Sequence, residues 1–257
     1  MQFTTHHSDE LGRLILAPEV PDGYGLFYTT LDFGGRLAGE DLESLQQFIA
    51  ARWGGGVVLA TCTQVHGTAI ARASAPLERW SELGECDALW SDREDVAIGI
   101  KIADCLPVTI VDAGHGVIVN LHSGWRGAAA GIVPRALEAV RSESSFSAGR
   151  SRAWLGPSIR QCCFEVGDEV VSAFESRYGS VEEFVDPGRG ERPHFDLVGL
   201  TRRVLMAEGV PGSAIFDSGL CTRCDGSVFH SYRRDGAKSG RVLAIAVRAR
   251  ISDQSAI

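Results

Sequence analysis

Residues 96–127 read VAIGIKIADCLPVTIVDAGHGVIVNLHSGWRG, and this run decides the fold class. Three segments rich in Val and Ile, at 96–102, 108–111 and 117–121, are separated by Asp, Pro and Gly. Short β-branched runs bounded by such punctuation read as buried strands. The third gives way at Gly124 to a helical pattern over 128–140, in which Pro134 either kinks the helix or marks a restart, because proline lacks the backbone donor and clashes with the preceding turn.

Working outward, further strands are expected at 24–30, 57–61, 87–90 and 241–250. Leu42, Leu45, Phe48 and Ile49 recur at helical spacing over 40–53 before Gly54, Gly55 and Gly56 end the helix. Two more helices are expected at 168–177 and 197–208. With no repeat, low-complexity tract or linker in the 257 residues, the expectation is one domain of mixed α/β class spanning 1–257.

Twenty-five Lys and Arg face 33 Asp and Glu, a formal charge of -8. Such a field repels polyanions, so nucleic acid and anionic membranes are not expected partners. Arg233, Arg234, Arg241, Arg248 and Arg250 make the C-terminal end locally basic, enough for a small phosphate, although solvated strand-edge charge is the plainer reading. No apolar run reaches the roughly 18 residues of a membrane span, and 1–20 lacks a basic segment followed by an apolar core, so a cytoplasmic location is expected. Seven cysteines in a chain of this length are expected to be reduced.

Three segments place a metal-ligand side chain where a strand yields to a loop: Gln64-Val65-His66-Gly67, Ala103-Asp104-Cys105-Leu106-Pro107 and Leu121-His122-Ser123-Gly124-Trp125-Arg126-Gly127. Two imidazoles and a thiolate suit zinc, and three protein ligands leave a fourth position for water or substrate. Copper accepts the same ligands and generally binds more tightly. Each residue alone has a plainer explanation: His66 in a turn, Cys105 as a small core residue, His122 as a hydrogen-bonded core histidine. Amides after Gly124, together with Arg126, form a candidate phosphate cradle, the alternative being a salt-bridged Arg126 and glycines that merely turn the chain. Asp104 is a candidate carboxylate for proton handling or ligand support, or else for strand-end hydrogen bonding.

The single C-x-x-C, Cys221 to Cys224, cannot supply four zinc ligands alone, although Cys162 and Cys163 can add to it, and a structural or incidental role is expected. The chain lacks the paired motifs of the zinc base deaminases, the zincin helix and the serine nucleophile elbow. Its seven scattered histidines include no His-x-His pair of the kind expected in a multi-copper oxygen-reducing cluster.

The three ligand segments, with Leu-Gly-Pro-Ser-Ile at 155–159, Phe-Glu-Val-Gly at 164–167, Cys221-Thr222 and Ser-Tyr-Arg-Arg-Asp-Gly at 231–236, resemble the YfiH family over about 57–250. That family is also described as polyphenol oxidase or laccase domain protein, purine nucleoside phosphorylase and peptidoglycan editing factor. The resemblance implies a four-layer α/β/β/α sandwich with mixed sheets, similar to a bacterial toxin deamidase. It implies zinc on His66, Cys105 and His122, and phosphorolysis of adenosine, inosine, guanosine and methylthioadenosine, with adenosine deamination as a second reaction. Where the family has Thr-Arg-x-Gly-Gly-Val-Ser, this chain has Thr29-Thr30-Leu31-Asp32-Phe33-Gly34-Gly35-Arg36-Leu37. The arginine and serine, candidates for anion binding, are absent, and Arg36 is offered only from a shifted position.

The expected protein is therefore a monomeric zinc enzyme with a purine nucleoside and phosphate as partners and Cys105, Asp104 and Arg126 in its chemistry. Three alternatives remain open. One is a metal-free cysteine hydrolase or amidase acting on cell-wall precursors, with Cys105 as nucleophile and His122 or His66 as base. The others are a copper-dependent polyphenol oxidase and a non-catalytic metal-binding scaffold.

Overall fold

The computed structural model describes residues 2–34, 40–74, 77–78, 80–188 and 191–248. Its larger sheet contains β1 (Thr4–Ser8), β2 (Gly12–Leu16), β3 (Tyr24–Thr29), β4 (Val58–Thr63), β6 (Trp80–Glu85), β8 (Val96–Ile102) and β15 (Val242–Arg248), in the order β1-β2-β3-β15-β8-β4-β6. The second contains β5 (Ile70–Arg72), β7 (Ala88–Ser91), β9 (Leu106–Asp112), β10 (Val117–Ser123), β11 (Arg152–Leu155) and β14 (Ile215–Asp217), in the order β14-β11-β9-β10-β7-β5. Both are mixed: β4 runs parallel to β8 and β6, and β5 parallel to β7, while β10 runs antiparallel to its neighbours β9 and β7. A short ribbon, β12 (Val185–Asp186) with β13 (His194–Phe195), completes the strands.

Period-two alternation divides each central strand between two cores. On β15, Val242, Ala244 and Ala246 join Ile98 and Ile100 of β8 and Ile118 of β10 between the sheets, while Leu243, Ile245 and Val247 face outward onto α1 (Glu40–Trp53) through Leu45, Phe48 and Ile49. On β10, Val117, Val119 and Leu121 face a third core shared with α3 (Ile132–Glu143), α4 (Asp168–Tyr178) and α5 (Leu197–Ala207). Three cores between four layers make an α/β/β/α sandwich, as expected. Asn120 points the other way and fastens the sheets together. Its amide donates to the carbonyls of Ile98 and Ala244 at 3.2 and 2.9 Å and accepts from Thr109 Oγ1 at 3.1 Å.

The stretch 128–140 restarts rather than kinks. A five-residue helix α2 (Trp125–Ala129) ends, Gly131 turns the chain at φ 83°, and α3 begins with Pro134 in its first turn, where the missing N–H costs no hydrogen bond. One expectation is overturned. Arg248 is not strand-edge charge, because β15 is an interior strand paired with both β3 and β8. Arg248 instead turns inward to the carbonyls of Asp92 and Gly116. The described strand ends at Arg248, and Arg250, like Arg36 and Leu37, lies outside the described residues.

Candidate active site

The two sheets meet at an open end, and three connections converge there. The chain passes from β4 of the larger sheet to β5 of the smaller through the loop bearing His66. It passes from β8 to β9 through the turn bearing Cys105, and His122 stands near the end of β10. His66, Cys105 and His122 offer ligand atoms that all lie within 4.8 Å of one another. The imidazole rings stand 4.9 Å apart at 76°. His122 is buried, Cys105 partly buried and His66 exposed, so the cluster opens to one side.

Backbone conformation shows how tightly this corner is drawn. Of the three described non-glycine residues with positive φ, two are His66 at 61° and Asp104 at 86°. Residues held in this sparsely populated region persist only where their surroundings enforce it. For His66 that enforcement is Asp87, fully buried just ahead of β7. Its carboxylate accepts from the backbone N–H groups of Val65, His66 and Gly67 at 3.2, 3.0 and 2.7 Å, and from His122 Nδ1 at 2.7 Å. Gln64 ties the same loop to β8 through a double hydrogen bond with the Lys101 backbone, at 2.7 and 2.8 Å.

With Nδ1 of His122 donating to Asp87, Nε2 is left as the ligand atom, the carboxylate–histidine arrangement common at zinc. Burial pushes the Cys105 thiol up, but the hydrogen bonds and charges of His122 and His66 outweigh it and bring it down to about 6. Burial lowers His122, while Asp87 and Cys105 hold it up to about 9. Asp87 is pushed up by burial and brought below its ordinary value by His122 and the backbone amides. Two imidazoles and a readily ionised thiol, oriented by a buried carboxylate and open on one side, fit a single zinc ion.

The glycines of 124–127 have a steric explanation. A Cβ on Gly124 would lie 3.0 Å from Cys105 Sγ and 3.1 Å from His66 Cδ2, and one on Gly127 would lie 2.7 Å from the Gly67 carbonyl oxygen. Both positions are kept bare so that α2 can press against the cluster and its loop. Arg126 is exposed, with its guanidinium 4.3 Å from the Trp125 ring centre, and it does not line the adjoining cavity. That cavity, about 640 Å³, carries Lys101, Arg233 and Arg241 as its cations and Trp125, Phe164 and Tyr232 as its aromatic walls. Asp104 lines it too, but both carboxylate oxygens are occupied, one by Thr222 Oγ1 and the other by the Arg233 N–H, each at 2.6 Å. Thr30 and Asp32, in the divergent N-terminal stretch, are engaged with Arg13.

Sequence reasoning located the three clustered residues and the basic end that carries Arg233 and Arg241, and it missed Asp87, Lys101 and the part played by Gln64. The signal for Gln64 and Asp87 was present in Gln64-Val65-His66-Gly67 and Cys86-Asp87-Ala88, polar residues where a strand ends or begins, but nothing in it pairs the two segments.

The family described as multi-copper polyphenol oxidoreductase laccase matches residues 34–249. The chain belongs to this family. Solved structures share its fold. YlmD from Geobacillus stearothermophilus superposes with a TM-score of 0.79 at 26% identity over 92% of this chain and 96% of that one. YfiH from Bacillus licheniformis superposes at 0.83 over 95% and 98%, and at 21% identity it speaks for the fold alone. Among curated relatives, an enzyme named adenosine deaminase RL5, from an unknown prokaryotic organism, is 39% identical over 168 residues, 65% of this chain and 63% of its own length. One named purine nucleoside phosphorylase YlmD, from Geobacillus stearothermophilus, is 32% identical over 192 residues, 71% of this chain and 69% of its own.

Proposed function

We propose that this protein is an enzyme with one zinc ion at its active centre, acting on purine nucleosides, cleaving adenosine, inosine, guanosine and methylthioadenosine with phosphate and deaminating adenosine as a second reaction. The observation that carries this reading is the convergence of His66, Cys105 and His122 beside a cavity with aromatic walls and several cations. The names of the relatives support the substrate class.

In phosphorolysis a phosphate oxygen attacks the anomeric carbon as the base departs through an oxocarbenium-like state, so an anion must be held next to a developing cation. Lys101, Arg233 and Arg241 supply the positive side of that arrangement, and they replace Arg126 in this role because they face the cavity. The planar purine suits the faces of Phe164, Tyr232 or Trp125. When bound, zinc supplies a Lewis acid that polarises an oxygen or acidifies a water. Asp87 keeps the Nδ1 proton on His122 and so fixes which nitrogen faces the centre.

The multi-copper description of the family does not fit this centre. Two histidines and one cysteine gather there, and the other group of potential ligands among the described residues consists of four cysteines without a histidine. A second reading rests on the same closeness of Cys105 and His122, whose ligand atoms lie within 4.8 Å of each other. Each shifts the other towards its charged form, and without metal a thiolate–imidazolium pair there would be the arrangement of a cysteine hydrolase acting on amides such as those of cell-wall precursors.

Metal-analysed protein incubated with adenosine and with inosine, with and without phosphate, tests the proposal by its products. Free base and ribose 1-phosphate, formed only with phosphate, are expected, along with phosphate-independent inosine and ammonia from adenosine. Lys101→Ala should raise the phosphate KM about ten- to a hundredfold, the loss of one charge-assisted contact, with zinc content unchanged. No turnover of either nucleoside under any of these conditions would overturn the reading.

A further inference from the structure

Away from the cavity floor, two segments distant in sequence are stitched side by side. Ser158 and Cys221 form a parallel bridge, with Ser158 N–H donating to the Leu220 carbonyl and Thr222 N–H to the Ser158 carbonyl. Just beyond it, the adjacent Cys162 and Cys163 meet the C-x-x-C pair Cys221 and Cys224. The Cys224 sulfur lies 3.6 Å from that of Cys162 and 3.3 Å from that of Cys163, which are themselves 3.7 Å apart, and all four lie within 4.8 Å of one another.

Four sulfurs around one zinc at about 2.3 Å stand about 3.8 Å from each other, the edge of the tetrahedron. The separations among Cys162, Cys163 and Cys224 lie just below that value and those to Cys221 stay within 4.8 Å, so modest movement closes a tetrathiolate shell. A disulfide would join two sulfurs at about 2 Å and would give the other two no reason to be there. The Arg223 guanidinium donates to Cys163 Sγ at 3.5 Å, placing positive charge against a shell that carries net negative charge when metallated. Cys163 and Cys221 are buried while Cys162 and Cys224 are exposed, which leaves a metal ion a path from solvent.

We propose that Cys162, Cys163, Cys221 and Cys224 bind a second zinc ion in a closed, structural tetrathiolate site, separate from the centre at His66, Cys105 and His122. Binding displaces the remaining thiol protons to solvent, and no ligand position is left for a substrate. The ion would clamp together two segments that build the cavity wall, one carrying Ile159 and Phe164 and the other leading to Tyr232 and Arg233. The link continues inward, since Thr222, next to Cys221, holds the Asp104 carboxylate beside Cys105. This site does not depend on which reaction the cavity supports.

Metal content of the full chain, purified without chelator, tests it. Wild type should carry two zinc equivalents, Cys162→Ser/Cys224→Ser one, and Cys105→Ala one. The Cys105→Ala protein keeps all four thiols and serves if the double variant does not fold. Replacing its remaining zinc by cobalt should give the intense thiolate-to-metal absorption of a tetrathiolate site. Zinc content equal to wild type in a folded double variant, a metal-free Cys105→Ala, or a disulfide among these four cysteines in the freshly purified protein would each overturn the proposal.

Discussion

Asp87 holds both histidines of the centre with one carboxylate, His122 through its side chain and His66 through its backbone. Its two oxygens accept four N–H groups, a task an amide cannot perform, because the NH₂ of asparagine would face donors. Asp87→Asn should therefore loosen the His66 loop and the His122 orientation together, weakening zinc affinity about 10- to 100-fold in chelator competition. Unchanged affinity would assign Asp87 a purely structural role. At this scale the sequence was informative about ligand type and silent about support. His66, Cys105 and His122 stand out because reactive side chains sit among strand-ending residues, whereas one aspartate ahead of one strand looks like any turn residue. Lys101 was hidden for a related reason, and Arg233 and Arg241 stood out only as part of a basic C-terminal end: cations are common, and only the fold brings residues so far apart to one cavity.

The elements that carry the centre are pressed together by the absence of side chains. Gly127 of α2 sits against the Gly67 carbonyl, so an added methyl, 2.7 Å from a backbone oxygen, can be accommodated only by moving the helix or the loop. Gly127→Ala should destabilise the protein by about 1–3 kcal/mol, the usual cost of overpacking, and lower zinc occupancy as the loop bearing His66 shifts. Thermal unfolding followed with and without added zinc measures both effects. Unaltered stability and metal content would show that the contact is slack. Legibility of the strands followed burial. Interior strands β8, β9, β10 and β15 read plainly as apolar runs. The rim strands β1 (TTHHS) and β6 (WSELGE) are mostly polar and largely exposed, so no apolar periodicity announced them. The two readings of Gly124–Gly127 were inseparable at this scale too, since glycines required by packing and glycines required by an anion look alike in sequence.

Across the molecule, Arg160 and Asp217 fasten the 158–164 segment to the end of β14 through two hydrogen bonds of 2.6 and 2.7 Å, with Gly219 N–H donating to the same carboxylate. Burial pushes Asp217 up, but Arg160 and the backbone bring it below its ordinary value. A depressed carboxylate contributes stability above its unfolded pKa of about 4 and loses it as pH falls through the folded value. Asp217→Asn should thus cost about 1 kcal/mol at neutral pH, the upper end for a partly solvated bidentate pair, and the gap to wild type should close towards pH 2. A gap that persists in acid would mean the charge is not what matters. The four-layer arrangement was legible through family motifs, and its physical logic lies in the alternation that splits β8, β10 and β15 between neighbouring cores. The central claim is that His66, Cys105 and His122 work through a bound metal ion. Its most direct test is adenosine turnover by protein stripped of metal and then titrated with zinc. Activity should vanish on stripping and return as zinc refills the centre, whereas full turnover by the stripped protein would contradict the account and favour Cys105 as a metal-free nucleophile.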